Sequence, residues 1–413
     1  MGLGFFSEDT YTRRKPALKK SSMCGMCKLF KTCNTPKMKP VGKGRKGILI
    51  IGECVSLKED KSGGFVMGSP GALLKKTLTK NGIDLRKDCW KYNAVNCFPG
   101  KQGVQDKHIE CCRPKVEKTI KRLKPKLIIL MGTAAVQSLL KGEIDGSTGI
   151  DRFRGYVVPD FDHNCLVGFS FHPSYIRREE EKNPVARLFF EKDIERILSH
   201  LNDTVPQDPK YEERVICYTD FSRTEKLLKR IIKRPPKLLA FDYETTGLKP
   251  HAKGHKIVTC SVCWTKKKAY AFRVTNRVLP YLGEVFSHHK IGKIAVNMKY
   301  EDNWTRFFTK KKVEPLTWDP MIAAHCLDNR RGFSGLKLQT YLNFGIKDYN
   351  ASVEKLLKGT EDHGNAFNRI HEIDIHDLLL YNGLDSLFTY MLALIQMEAM
   401  GIENPKTYNP NFF

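Results

Sequence analysis

Acidic residues are in short supply. Across 413 residues, 45 Asp and Glu face 70 Lys and Arg, leaving a formal charge of +25. Such a deficit argues against basic partners and points to a polyanion, DNA or RNA. The chain also lacks any apolar run that reads as long enough to cross a bilayer. A secretory leader is not expected either, because the N-terminus reads as polar and basic around Arg13, Arg14, Lys19 and Lys20. A soluble, cytoplasmic protein with no membrane partner is therefore expected. Cysteine, by contrast, is plentiful: thirteen in a long intracellular chain do not suggest a disulfide framework, so some should hold a metal or a cluster. The length calls for about two domains.

Residues 1–47 are basic and rich in turn formers, and carry the knuckle Cys24-Gly-Met-Cys27, with Cys33 beyond it. Strands and helices then alternate. Strands are expected over 47–52, 90–96 and 126–131 and at a run ending near Phe171, with helices over 71–81, 106–123, 134–141 and 189–201. This alternation marks an α/β fold, a helix-covered and mostly parallel sheet whose ligands lie beyond the carboxyl ends of the strands. Glu53, Asn93 and His172 stand at those ends.

In this half the order of the words IIGE, KEDKSGGFVMGSPGALL (58–74), NAVNCFPG (93–100), CRP (112–114), KLIILMGTAA (126–135) and HPSY (172–175) resembles the family 4 uracil-DNA glycosylases. The resemblance implies a 4Fe-4S cluster on Cys24, Cys27, Cys97 and Cys112, with zinc on the same sulfurs as the alternative. It makes Phe65 the stacking wall for a flipped base, Asn93 the reader of the uracil edge and His172 the donor to the departing oxygen. Glu53 and Glu59 would manage water or developing charge, and Ile176 would wedge into the duplex. The chain departs from the family where Cys54, Val55 and Ser56 replace a small residue, Pro and Gly, and the loop to Phe65 is one residue short. Excision and a retained fold that only grips DNA both stay open.

Residues 203–214 read as a linker between a glycosylase-like domain, 1–202, and a second domain, 215–413. The apolar run Leu238 to Phe241 reads as a buried strand closed by Asp242 and Glu244. Two apart on a strand, these carboxylates project from one face, where repulsion favours divalent cations between them. Runs at 257–264 and 269–274 extend an antiparallel meander. Cys260 and Cys263 lie in the first run, three apart on opposite faces, and are taken as core residues. A strand over 294–296 leads to Asn297 as a helix N-cap, with Glu301 and Asp302 in the helix behind it. Tyr381 and Asp385 stand one helical turn apart on one face. Four carboxylates and a tyrosine make a two-metal phosphodiester hydrolysis site.

The words DYE (242–244), NMKYED (297–302) and YNGLD (381–385) resemble the DEDD 3'-5' exonucleases, above all the proofreading domain of family A DNA polymerases, which has a ribonuclease H-like mixed sheet. The resemblance implies two Mg²⁺ or Mn²⁺ ions on Asp242, Glu244 and Asp385, Tyr381 orienting water, and Asn297 at the substrate. Glu301 is the preferred middle acid and Asp302 the alternative, since helix neighbours point about 100° apart. The expected function is metal-dependent 3'-5' degradation of DNA. The short tail, PKTYNPNFF, leaves no room for a polymerase domain, so a separate, phage-type DNA polymerase is expected as partner. A non-catalytic replisome subunit is the alternative.

Overall fold

The computed structural model describes residues 23–65, 67–141, 144, 149–347, 349, 353–359 and 365–402. The basic residues Arg13, Arg14, Lys19 and Lys20 and the tail PKTYNPNFF lie outside the described residues.

In the first half the order is α1 (Cys24–Cys27), β1 (Ile48–Cys54), α2 (Leu57–Ser62), α3 (Ser69–Lys80), β2 (Cys89–Val95), α4 (Asp106–Leu123), β3 (Leu127–Met131), α5 (Thr133–Leu140), α6 (Ile150–Phe153), β4 (Val157–Asp160), β5 (Cys165–Ser170), α7 (Pro173–Glu179) and α8 (Pro184–Ser199). The sheet order is β2-β1-β3-β5-β4, parallel except for the edge strand β4. Ile48 to Ile51 and Leu127 to Met131 are buried at every position, as expected of strands covered by helices on both faces. Residues with no polar alternation can settle only in such a layer. The sequence reading missed β4 because Pro159 interrupts its apolar pattern; an edge strand tolerates the proline.

The second half contributes β6 (Val215–Tyr218), α9 (Phe221–Lys233), β7 (Leu238–Thr245), β8 (Ile257–Thr265), β9 (Lys268–Arg273), α10 (Leu279–Phe286), β10 (Gly292–Ile294), α11 (Met298–Thr309), β11 (Leu316–Trp318), α12 (Pro320–Leu327), α13 (Leu336–Phe344), α14 (Glu354–Leu357) and α15 (Ile375–Ala399). Its mixed sheet runs β11-β10-β7-β8-β9-β6, with β7, β8 and β9 forming the antiparallel meander. Strand β10 ends at Ile294, two residues short of the expected Val296. Cys260 and Cys263 are fully buried in the core.

Helix α15 corrects the reading that no segment is long and apolar enough to span a bilayer. Its 25 residues pass that test by length and hydropathy, yet 72% of the apolar window is buried inside the protein. It lies across β6 to β9 and is a core helix.

The two halves touch. Phe333, Leu338, Tyr341 and Leu342, from α13 and the turn before it, join the hydrophobic core of the first half. Tyr341 meets Phe153 and Phe169 edge-on, at 6.1 and 6.3 Å between ring centres.

Candidate functional sites

Alternation along β7 puts Asp242 and Glu244 on the face that α15 covers, and the pitch of α15 brings Asp385 onto the same spot. One carboxylate oxygen from each of the three lies within 4.8 Å of one from both others. Burial, then the charge of Asp385, pushes the Asp242 pKa well above its ordinary value. Burial, then Asp242, does the same to Glu244. Asp385 rises to about 6 through burial. Three converging carboxylates, all raised by burial, with Asp385 raising the other two, form a hard-oxygen donor set that fits Mg²⁺ or Mn²⁺.

Glu301 and Asp302 part company on α11. The Glu301 carboxyl is buried, has one oxygen without a hydrogen-bond partner among the described residues, and is pushed up by burial and then by Asp242 and Glu244. Asp302 turns away, accepting from Arg306 Nε at 2.6 Å and from the Val313 amide at 2.8 Å. Asn297 does occupy the N-cap of α11, in the left-handed region at φ 56°, which Asn tolerates. The cap itself needs correcting: the Asn297 side chain makes no capping bond. The Asp319 carboxylate instead accepts from the Asn297 and Met298 amides at 3.2 and 2.9 Å. The Asn297 side chain is left exposed.

Tyr381 lies beside Asp385, and its side chain works against the burial that raises this acid. Two further groups join them that the motifs did not single out. Tyr349 donates its hydroxyl to Asp385 Oδ1 and lies nearly parallel to Tyr381, ring centres 6.0 Å apart. Asn382 donates to Asp242 Oδ2 at 2.7 Å. Asn382 could have been suspected as the neighbour of Tyr381, whereas Tyr349 sits in no motif.

In the first half, Asn93 and His172 converge over Gly52. A Cβ on Gly52 would lie 2.8 Å from Asn93 Oδ1 and 3.4 Å from His172 Nε2, so glycine lets both side chains approach. His172 caps α7: its Nδ1 accepts from the Ser174 amide at 3.2 Å. Burial holds its pKa below the ordinary value. The imidazole is then neutral with its proton on Nε2, as a donor facing the Gly52 gap.

Other residues of this half are placed differently from the sequence reading. Ile176 cannot be a wedge, for it is fully buried on the side of α7 that packs into the core. The Glu59 carboxylate closes a capping box on Ser56, accepting from the Ser56 amide and hydroxyl at 2.9 and 2.8 Å. The departure at Cys54, Val55 and Ser56 thus starts α2 locally. Glu53 lies over Gly132 and accepts from the Ala134 amide at 3.4 Å, at the N-terminus of α5. Phe65 is half-buried, and the Lys91 ammonium sits on its ring. Among the described residues that ammonium has no hydrogen-bond partner, and burial lowers its pKa to about 7.

Six thiols gather where α1 meets β2 and α4. Cys112 stands near Cys97, Cys27 and Cys24, Cys33 beside Cys97, and Cys111 beside Cys27. The four thiols Cys24, Cys27, Cys97 and Cys112 come from three segments and are soft donors of the kind that a soft metal or cluster takes. Cys33 and Cys111 are additional neighbours.

Sequence comparison matches two families along the chain. Residues 40–201 match the uracil DNA glycosylase superfamily and residues 219–395 match a 3'-5' exonuclease family. The type-4 uracil-DNA glycosylase of Pyrobaculum aerophilum is 28% identical over 163 residues, 37% of this chain and 77% of that one. A DNA polymerase of Bacillus phage SP01 is 23% identical over 369 residues, 81% of this chain and 38% of the polymerase. Among solved structures, Brucella melitensis NrnC with bound Mg²⁺ aligns with a TM-score of 0.33 at 16% identity, covering 42% of this chain and 79% of that one.

Proposed function

Because the chain joins a uracil-DNA glycosylase superfamily domain to a 3'-5' exonuclease domain, we propose that it removes nucleotides from the 3' end of DNA while its first half grips or inspects the strand. The observation that carries this reading is the convergence of Asp242, Glu244 and Asp385, with Glu301 turned toward them. Divalent cations held there would supply the Lewis acid and the activated water of phosphodiester hydrolysis. The chain's own part is positional. Asn382 holds Asp242 in orientation, and Tyr381 places a hydroxyl beside Asp385 where an attacking water can be aligned. The cationic surface draws in the DNA backbone.

For the first half, the Nε2 donor of His172 and the amide of Asn93 across Gly52 support recognition of an extruded uracil edge. A second reading, DNA gripping without excision, is favoured by the Lys91 ammonium on the Phe65 ring, where a stacked base would lie. Cys24, Cys27, Cys97 and Cys112 are proposed to bind a 4Fe-4S cluster that staples α1 to the sheet. Such thiols imply a reducing compartment, the cytoplasm. A separate DNA polymerase is the proposed partner, on the ground that most of this chain aligns with 38% of a phage polymerase.

The deciding experiment incubates purified protein with 3'-labelled and 5'-labelled DNA, with and without uracil, in Mg²⁺ or EDTA. Mg²⁺-dependent shortening from the 3' end is expected. Uracil-dependent, alkali-labile breaks in EDTA separate excision from gripping. DNA left intact in Mg²⁺ would refute the nuclease reading.

A further inference from the structure

The segment between α12 and Tyr349 belongs to the nuclease half by sequence, yet it is fastened to the other half along its length. Arg330 donates to the Asp151 and Arg154 carbonyls at 2.7 and 3.1 Å, and Arg152 donates back to the Gly332 carbonyl. Phe333 and Tyr341 enter the core of the first half. Gly345, at φ +71°, ends α13 against β4: a Cβ there would fall 2.5 Å from the Pro159 carbonyl oxygen. The last fastening is Lys347, whose ammonium reaches Asp160 Oδ1 at 3.2 Å and Asp162 Oδ2 at 3.0 Å at the end of β4. Lys347 and Asp160 are largely buried, so this pair is not an ordinary surface ion pair.

Two residues beyond Lys347 the chain delivers Tyr349 into the acid cluster. Its ring packs between Tyr381 and Phe388, with centres at 6.0 and 5.2 Å, and its hydroxyl is bound to Asp385 Oδ1. A carboxylate with one oxygen held by a buried hydroxyl has its rotation fixed, and with it the direction of the oxygen left for a cation.

We propose that Tyr349 is a positioning residue of the nuclease site, and that docking of residues 328–347 on the glycosylase-like half holds its hydroxyl on Asp385. The nuclease site is thus complete only while the two halves are in contact, and the first half is a structural component of the second half's active site. This rests on the reading of Asp242, Glu244 and Asp385 as the nuclease centre.

The test uses the full chain and four variants, Tyr349→Phe, Lys347→Ala, the double variant of these two, and Asp385→Asn. Each is measured for Mn²⁺ affinity by calorimetry, for kcat and KM on single-stranded DNA, and for thermal midpoint. Tyr349→Phe keeps the ring packing and should weaken Mn²⁺ binding and lower kcat by about ten- to a hundredfold, the range for partners that orient a metal ligand, with KM and the midpoint near the parent's. Lys347→Ala should move the same two quantities in the same direction, and the double variant should be no worse than Tyr349→Phe. Parental Mn²⁺ affinity and kcat in Tyr349→Phe, with Asp385→Asn inactive, would overturn the role of Tyr349 and leave the nuclease centre standing. A parental Lys347→Ala beside an impaired Tyr349→Phe, or an additive double variant, would overturn the docking requirement. Full activity and Mn²⁺ binding in Asp385→Asn would instead bring down the nuclease reading itself.

Discussion

Asn382 Nδ2 stands 2.7 Å from Asp242 Oδ2, so helix α15 and strand β7 are joined by a hydrogen bond inside the acid cluster. The same amide lies 3.3 Å from the Asp242 carbonyl, which ties the side chain and backbone of this acid to a single partner.

Asp242→Ala should abolish Mg²⁺-dependent 3' degradation, a loss of roughly a thousandfold or more, because a ligand to the cation is removed. Its thermal midpoint in EDTA should rise, since one of several mutually repelling buried carboxylates is gone. Asn382→Ala should lower the rate by about ten- to a hundredfold through misorientation of Asp242. Rate assays and melts on both variants check this, and an active Asp242→Ala would refute the site.

Glu301→Gln and Asp302→Asn should separate activity from stability. The first should cut the nuclease rate at least about a hundredfold, because an amide neither offsets nor binds a hard cation well. The second should leave the rate near the parent's and lower stability by about 1–3 kcal/mol, since Asp302 serves Arg306 and the Val313 amide. Reversed results would make Asp302 the fourth acid.

The metal-free protein should lose stability as pH rises. Burial raises Asp385 to about 6 from 3.8, so the folded state holds its proton where the unfolded chain has released it. Stability from this group is present below about pH 4 and is lost by the time pH passes about 6. Asp242, Glu244 and Glu301 are raised in the same sense and extend the loss upward. Melts in EDTA should therefore decline across this window, and Mg²⁺ should raise the midpoint more at about pH 8 than at about pH 5. Equal gains at both would show that the cation does not relieve this repulsion.

The as-isolated protein should be brown, and Cys97→Ser or Cys112→Ser should bleach it, while Cys33→Ser should keep the colour. Absorption spectra and metal analysis check this; stoichiometric zinc in a colourless protein would assign the thiols to zinc instead.

Gly52→Ala should abolish any preference for uracil-containing DNA and leave the nuclease rate unchanged. The added methyl would sit 2.8 Å from Asn93 Oδ1 and displace that side chain. A retained uracil preference, measured by competition binding, would remove Asn93 from the recognition edge.

What the sequence determined by itself was everything governed by chain geometry over short distances. Parallel strands covered on both faces announce themselves as unbroken apolar runs such as Leu127 to Met131, and the period of a strand puts Asp242 and Glu244 on one face. The pitch of a helix puts Tyr381 beside Asp385, and separates Glu301 from Asp302. Only the tertiary structure decided the rest, because those contacts join residues far apart in the chain and leave no local periodicity. Asp319, not the Asn297 side chain, caps α11, and Ile176 faces the core because that side of α7 packs against it. Lys91, on β2, meets Phe65, on the loop before α3. Tyr349 reaches Asp385 only because the segment before it is held on the other half of the molecule, an arrangement fixed by buried surface and ion pairs at Phe333, Tyr341 and Lys347 that no short stretch of sequence can encode.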